Sequence, residues 1–195
     1  SNQQGYPRAV THYNGRIIYG GNKLNPDTIW ASQTYDLFQM TKEDIDHSLT
    51  ATGTISDNFV ATLTSNQFSQ INWIKNNGGR LICGTSEVEY TITGVSGGAL
   101  GRSTTDAPAI IVSQETSYGS VNTQVPLAGS RPLFVQKGGQ IIRDFFYNRD
   151  VQGYISNDIT VLSEHFRRKS AETFDAASMG TIKQLAYQKA DDEIM

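Results

Sequence analysis

Apolar residues in this chain come in short runs that often alternate with polar ones, and nearly every run is bounded by Gly, Asn or a Gly pair. That is the pattern of short strands joined by tight turns. The first unit is Ala9-Val10-Thr11-His12-Tyr13, then Asn14-Gly15, then Arg16-Ile17-Ile18-Tyr19. Asn-Gly between apolar-rich runs is the strongest short hairpin signal, because both residues tolerate the positive φ of a two-residue turn. Gly20-Gly21 and the loop Asn22 to Asp27 follow, and Thr28-Ile29-Trp30-Ala31-Ser32 supplies a third strand. The arrangement returns at Gln70-Ile71-Asn72-Trp73-Ile74, the turn Asn76-Asn77-Gly78-Gly79, Arg80-Leu81-Ile82-Cys83-Gly84 and Val88-Glu89-Tyr90-Thr91-Ile92. A third version runs from Asn122 to Leu127, turns at Ala128-Gly129-Ser130, continues as Arg131-Pro132-Leu133-Phe134-Val135 and, after Lys137-Gly138-Gly139, ends in a strand from Gln140 to Tyr147. An arginine opens each middle strand (Arg16, Arg80, Arg131), at spacings of about 50 to 65 residues, near the ~40 to 50 of a propeller blade. The expected fold class is mainly β: repeated antiparallel β-meanders, propeller-like and complete or incomplete, with an unrelated sandwich as the alternative.

Further strands are expected at Tyr6-Pro7, His47 to Gly53, Phe59 to Thr64 and Ala109 to Glu115, and Thr93 to Pro108, rich in Gly, Ser and Thr, reads as a long exposed loop. One helix is predicted near 158–168. Asn157 or Asp158 would cap it, Ile159, Leu162 and Phe166 fall on one face, and Arg167-Arg168-Lys169 sits where cations complement the C-terminal dipole. Thr181 to Gln188 alternates as a strand should, before the chain stops at Asp191-Asp192-Glu193-Ile194-Met195. The expected division is 1–150 for the meander units, 151–180 for a helix-containing insertion or connection, and 181–195 for the start of a further, truncated β unit. One single domain overall is the alternative. Ser1-Asn2 fits an expression scar and no Met opens the chain, so a fragment of a longer protein is expected.

Composition narrows the picture. In 195 residues there are nine Tyr and eight Phe, and frequent Thr, Ile and Val, which suit pleated surfaces better than helices. A formal net charge of -3 gives no global basic field to draw the protein onto nucleic acid or an anionic membrane. The single cysteine, Cys83, has no partner for an intramolecular disulfide and lies in an apolar run, which predicts burial. No stretch approaches the ~18 apolar residues of a membrane-spanning helix.

Candidate chemistry is sparse. His12, His47 and His165 are scattered, none at the spacing of a metal pair, so no metal site and no cofactor are expected. Glu43-Asp44-Ile45-Asp46 lacks the Gly and distal Glu of a calcium loop. Glu87 and Glu89 lie two apart on a predicted strand and would share one face, as a glycosidase pair might, but such pairs usually come from different strands. No nucleophile elbow or phosphate-binding loop is present, and no catalytic residue is assigned. Arg167, Arg168 and Lys169 form the one basic run; beyond capping a helix, they are the residues marked for a contact with a partner or with passing DNA phosphates.

Tyr6-Pro7-Arg8-Ala9-Val10-Thr11, Tyr13-Asn14-Gly15-Arg16-Ile17-Ile18-Tyr19-Gly20-Gly21 and Pro26-x-Thr28-Ile29-Trp30-x-Ser32 resemble the N-terminal blade motif of the tail hub or nozzle proteins of short-tailed phages, also called tail tubular proteins. The similarity continues through Ile71-x-Trp73-Ile74, Leu81-Ile82-x-Gly84-Thr85-x-x-x-Glu89-Tyr90, Gln114-x-x-Ser117-Tyr118-Gly119, Leu133-Phe134-Val135-Gln136-x-Gly138-Gly139 and Tyr154-x-x-x-Asp158 to His165. The chain departs from that pattern at Glu87-Val88, where glycines are usual before the Glu-aromatic pair, and at Tyr35, where a Gly is usual before the Asp. The resemblance implies a non-enzymatic structural component of a phage or prophage tail, found in the virion tail after synthesis in the bacterial host cytoplasm. It implies a homo-oligomeric ring in the full-length protein that links portal and adaptor to distal tail parts and lines the DNA exit channel. Partners would be other tail subunits, with transient non-specific DNA passage. A mildly acidic wall would let DNA slide without trapping it. The alternatives are a glycan-binding or glycan-cleaving propeller of a virion, using carboxylates such as Glu87 and Glu89, and a host-side adhesion module.

Overall fold

The computed structural model describes residues 5–38, 58–63, 69–95, 100–101, 109–163 and 181–188. Thirteen strands occur among them, all paired antiparallel, and the described residues close no barrel or propeller.

The first sheet holds β1 (Ala9–Tyr13), β2 (Arg16–Gly20), β3 (Thr28–Ala31) and β4 (Phe59–Thr62), neighbours in chain order. Asn14 and Gly15 form the turn between β1 and β2 with φ of 47° and 72°, the double left-handed geometry that Asn-Gly favours. Tyr13 then pairs with Arg16, and Val10 with Tyr19. The second sheet repeats the design with β5 (Ile71–Asn77), β6 (Arg80–Thr85), β7 (Glu89–Gly94) and β8 (Ile110–Thr116). Its first turn is shorter than the sequence suggests, because Asn76 and Asn77 stay in β5, where they pair with Leu81 and Arg80. The third unit holds β9 (Leu127–Ala128), β10 (Arg131–Val135) and β11 (Ile142–Asp144), followed by a separate hairpin of β12 (Phe146–Asn148) and β13 (Gly153–Ile155). The single strand expected from Gln140 to Tyr147 is thus two. Phe145 breaks it by turning its ring fully into the core, while its amide donates to the Pro132 carbonyl at 3.1 Å.

The sheets stack. Ile18, Ile29, Phe59 and Ala61 of the first share one buried cluster with Ile71, Ile74, Leu81 and Cys83 of the second. Trp73, Ile82, Phe134 and Phe145 make another, between the second sheet and the third unit. Alternate residues of β6 therefore enter opposite cores, and the second sheet is covered on both faces. This explains why β6 reads as an unbroken apolar run rather than an alternating one. Close backbone approach is built in: a Cβ on Gly84 would overlap the Trp73 indole, and one on Gly20 would overlap the Ile74 side chain.

The helix predicted near 158–168 is not formed in its described part, 158–163; residues 164–168 lie outside the described residues. Asp158 caps a turn instead, its Oδ1 accepting the Thr160 amide at 2.7 Å and the Thr160 hydroxyl at 2.6 Å. The backbone there pairs with β11 through an Arg143–Asp158 bridge and the Ile159 amide to the Ile142 carbonyl. Sheet pairing outcompetes the helical periodicity, and Leu162 is left 92% exposed instead of lying on a buried face. Of the other expected strands, Phe59 to Thr62 and Ile110 to Thr116 form, Tyr6-Pro7 does not, and His47 to Gly53 lies outside the described residues. Thr93 and Gly94, read as loop, complete β7. Residues 181–188 form no strand; the Ile182 amide donates to the Gly139 carbonyl at 2.7 Å.

Candidate functional site

Arg167, Arg168 and Lys169, with His47, His165 and Glu43 to Asp46, lie outside the described residues. No group of three His, Cys, Asp or Glu able to hold a metal ion occurs among the described ones. No described helix is long and apolar enough to cross a membrane.

Glu87 and Glu89 part company. Glu87 precedes β7 in the turn from Thr85 to Val88, a turn closed by the Thr85 hydroxyl, which donates to the Val88 carbonyl at 2.7 Å and accepts the Val88 amide at 3.0 Å. From this rim Glu87 forms an ion pair of 2.5 Å with Lys137 of the third unit. Glu89 opens β7 opposite Gly84 and is fully buried. Its Oε2 accepts the Thr116 hydroxyl at 2.5 Å and the Tyr118 amide at 3.3 Å. Its Oε1 is buried with no hydrogen-bond partner among the described residues. Burial pushes the Glu89 carboxyl up to about 7; the Thr116, Tyr118 and Gly119 hydrogen bonds and the Arg143 charge oppose that shift only in part. Next to it, the buried Cys83 thiol is pushed up by desolvation first and by the Glu89 charge second.

This cluster sits where the chain passes from the second sheet to the third unit. Ser120 donates both its amide (2.8 Å) and its hydroxyl (2.9 Å) to the Thr85 carbonyl, and the Asn72 side-chain amide donates to the Ser120 carbonyl at 2.7 Å. The Arg143 guanidinium lies 3.6 Å from the centre of the Tyr118 ring. No motif or spacing in the sequence marks Thr116, Tyr118, Lys137 or Arg143 as site residues. The signal that does point to Glu89 is β6: a strand apolar at successive positions is covered on both faces, so a carboxylate paired beside Gly84 must be inside.

An open depression of about 390 Å³ lies between β1, β5 and residues 122–125. Arg8, Lys75 and Lys183 are its charged lining residues. No family model and no curated protein sequence matches this chain.

Proposed function

We propose that the chain is a structural piece of a phage or prophage tail, of the hub or nozzle type, and contributes blade-like units to a ring that joins the portal and adaptor to distal parts and surrounds the DNA exit path. The observation that supports it best is the stacking: two four-stranded meanders lie face to face, the second covered on its other side by the three-stranded third unit, and β1, β5 and residues 122–125 border one depression. Propeller blades pack in this manner. Arg8, Lys75 and Lys183, which line that depression, would give a weak local attraction for a passing polyanion in an otherwise acidic chain. The glycan-cleaving alternative needs two accessible carboxylates facing one sugar, whereas Glu89 is sealed in the core and Glu87 is paired with Lys137.

Native mass spectrometry and negative-stain microscopy of the complete gene product test the reading. A closed ring of several copies is expected. A monomer that depolymerises polysaccharide, with turnover abolished by Glu89→Gln, would overturn it.

A further inference from the structure

Glu89 holds a crossing between two bodies of the fold. On one side its Oε2 takes the Thr116 hydroxyl and the Tyr118 amide. On the other side the same segment is bound to the third unit: the Lys137 amide donates to the Gly119 carbonyl at 3.0 Å, and the Val121 amide to the Val135 carbonyl at 3.0 Å. Arg143, which covers the Tyr118 ring, is itself fixed by the Gln136 side-chain carbonyl at 2.8 Å and the Ser156 carbonyl at 3.1 Å. Whatever happens to the carboxyl is therefore felt where the third unit docks.

Ionised, the carboxylate is poorly matched to its surroundings. Oε2 accepts from Thr116 and Tyr118 and the Gly119 amide also favours the charge, but Oε1 has no hydrogen-bond partner among the described residues and the carboxyl is fully buried from solvent. The groups facing it are the Cys83 thiol from β6, Thr116 at the end of β8, the Tyr118 and Gly119 amides of the crossing, and Arg143 from β11. Of the nearby carboxylates, Glu115 on β8 is engaged by the Thr91 hydroxyl at 2.6 Å, and Glu87 by Lys137. Arg143 supplies the opposing charge, yet it is committed to other acceptors and to the Tyr118 ring.

We propose that Glu89 is a proton-operated interlock: neutral, it holds the crossing and the third unit tight against the second sheet, and ionised, it loosens that junction while the first two sheets stay packed together. This goes beyond the tail assignment and does not depend on it. Because burial raises the titration point from 4.5 to about 7, the folded chain keeps its proton where the unfolded chain loses it. The contribution of Glu89 is fully present below pH 4.5 and is lost as pH rises through about 7.

The direct test is a carboxyl-carbon NMR titration of Glu89 in the intact chain, together with amide hydrogen exchange at pH 5 and pH 8, corrected for intrinsic rates. A midpoint near 7 is expected, with protection of the Gly119 and Val121 amides falling about tenfold or more at the higher pH while the Ile18 and Ile29 amides keep theirs. Glu89→Gln, neutral at every pH, should abolish the difference. An ordinary carboxylate midpoint, or the same pH dependence in Glu89→Gln, overturns the proposal. Should that variant fail to fold, Thr116→Val removes a donor to the carboxylate and should raise the midpoint further; an unmoved midpoint overturns the proposal equally.

Discussion

The three arginines that open β2, β6 and β10 occupy equivalent places and do different work. Arg16 is buried, donating to the Ser32 carbonyl at 2.7 Å and lying 5.8 Å from the Phe59 ring. Arg80 lies 5.9 Å from the Tyr154 ring, and Arg131 pairs with Asp144 at 3.1 Å over the Phe146 ring. The position was legible in the sequence because a turn precedes each one; the chemistry was not, because the partners are 13 residues or more away along the chain and are brought up by neighbouring elements. Gly84 is the sharper case. Its backbone is ordinary for a strand, and the need for glycine comes entirely from the indole lying on it. Gly84→Ala is expected to destabilise the chain by about 1 to 3 kcal/mol through overpacking, read as a lower urea midpoint at unchanged slope. An unshifted midpoint would mean that Trp73 does not rest there.

Among elements, the hairpins followed local chemistry and the C-terminal segment did not. Asn14-Gly15 carries its conformation in its own residues, so β1 and β2 pair as expected. Gly15→Ala should cost about 1 to 2 kcal/mol, the penalty of a Cβ at left-handed φ, and thermal unfolding of the variant would show it as a lower Tm. Residues 158–163 also carry a local signal, an acidic cap ahead of apolar positions at helical spacing, which predicts a helix start. The same Asp158 serves equally well to cap a turn, and β11 offers backbone partners that an isolated helical turn lacks. Short helices are marginal without a face to bury, and Ile159, Val161 and Leu162 have none here. The split of the strand at Phe145 has the same origin, since the ring's place in the second core was invisible until the third unit docked.

For the molecule as a whole, the second sheet is the keystone: its residues alternate between two cores, so neither neighbour can leave without exposing it. Ile82→Ala, on the side of the third unit, and Leu81→Ala, on the side of the first sheet, should each cost about 2 to 5 kcal/mol. In a Trp30→Phe background Trp73 fluorescence reports the junction with Phe134, 5.6 Å away between ring centres. A single transition shared with the far-ultraviolet circular dichroism signal is expected at pH 5. An earlier fluorescence change at that pH would show that the third unit opens on its own even with Glu89 protonated. By itself the sequence determined what local chemistry can encode: strand-rich composition, turns at Asn-Gly and Gly-Gly, and the repetition of a short meander with an arginine at the head of its middle strand. The tertiary structure alone decided which sheet is covered twice, why Gly84 must lack a side chain, and that Glu87 and Glu89, two residues apart, end on the rim and in the core. Burial and pairing depend on what packs against each face, and residues far apart in the chain supply that.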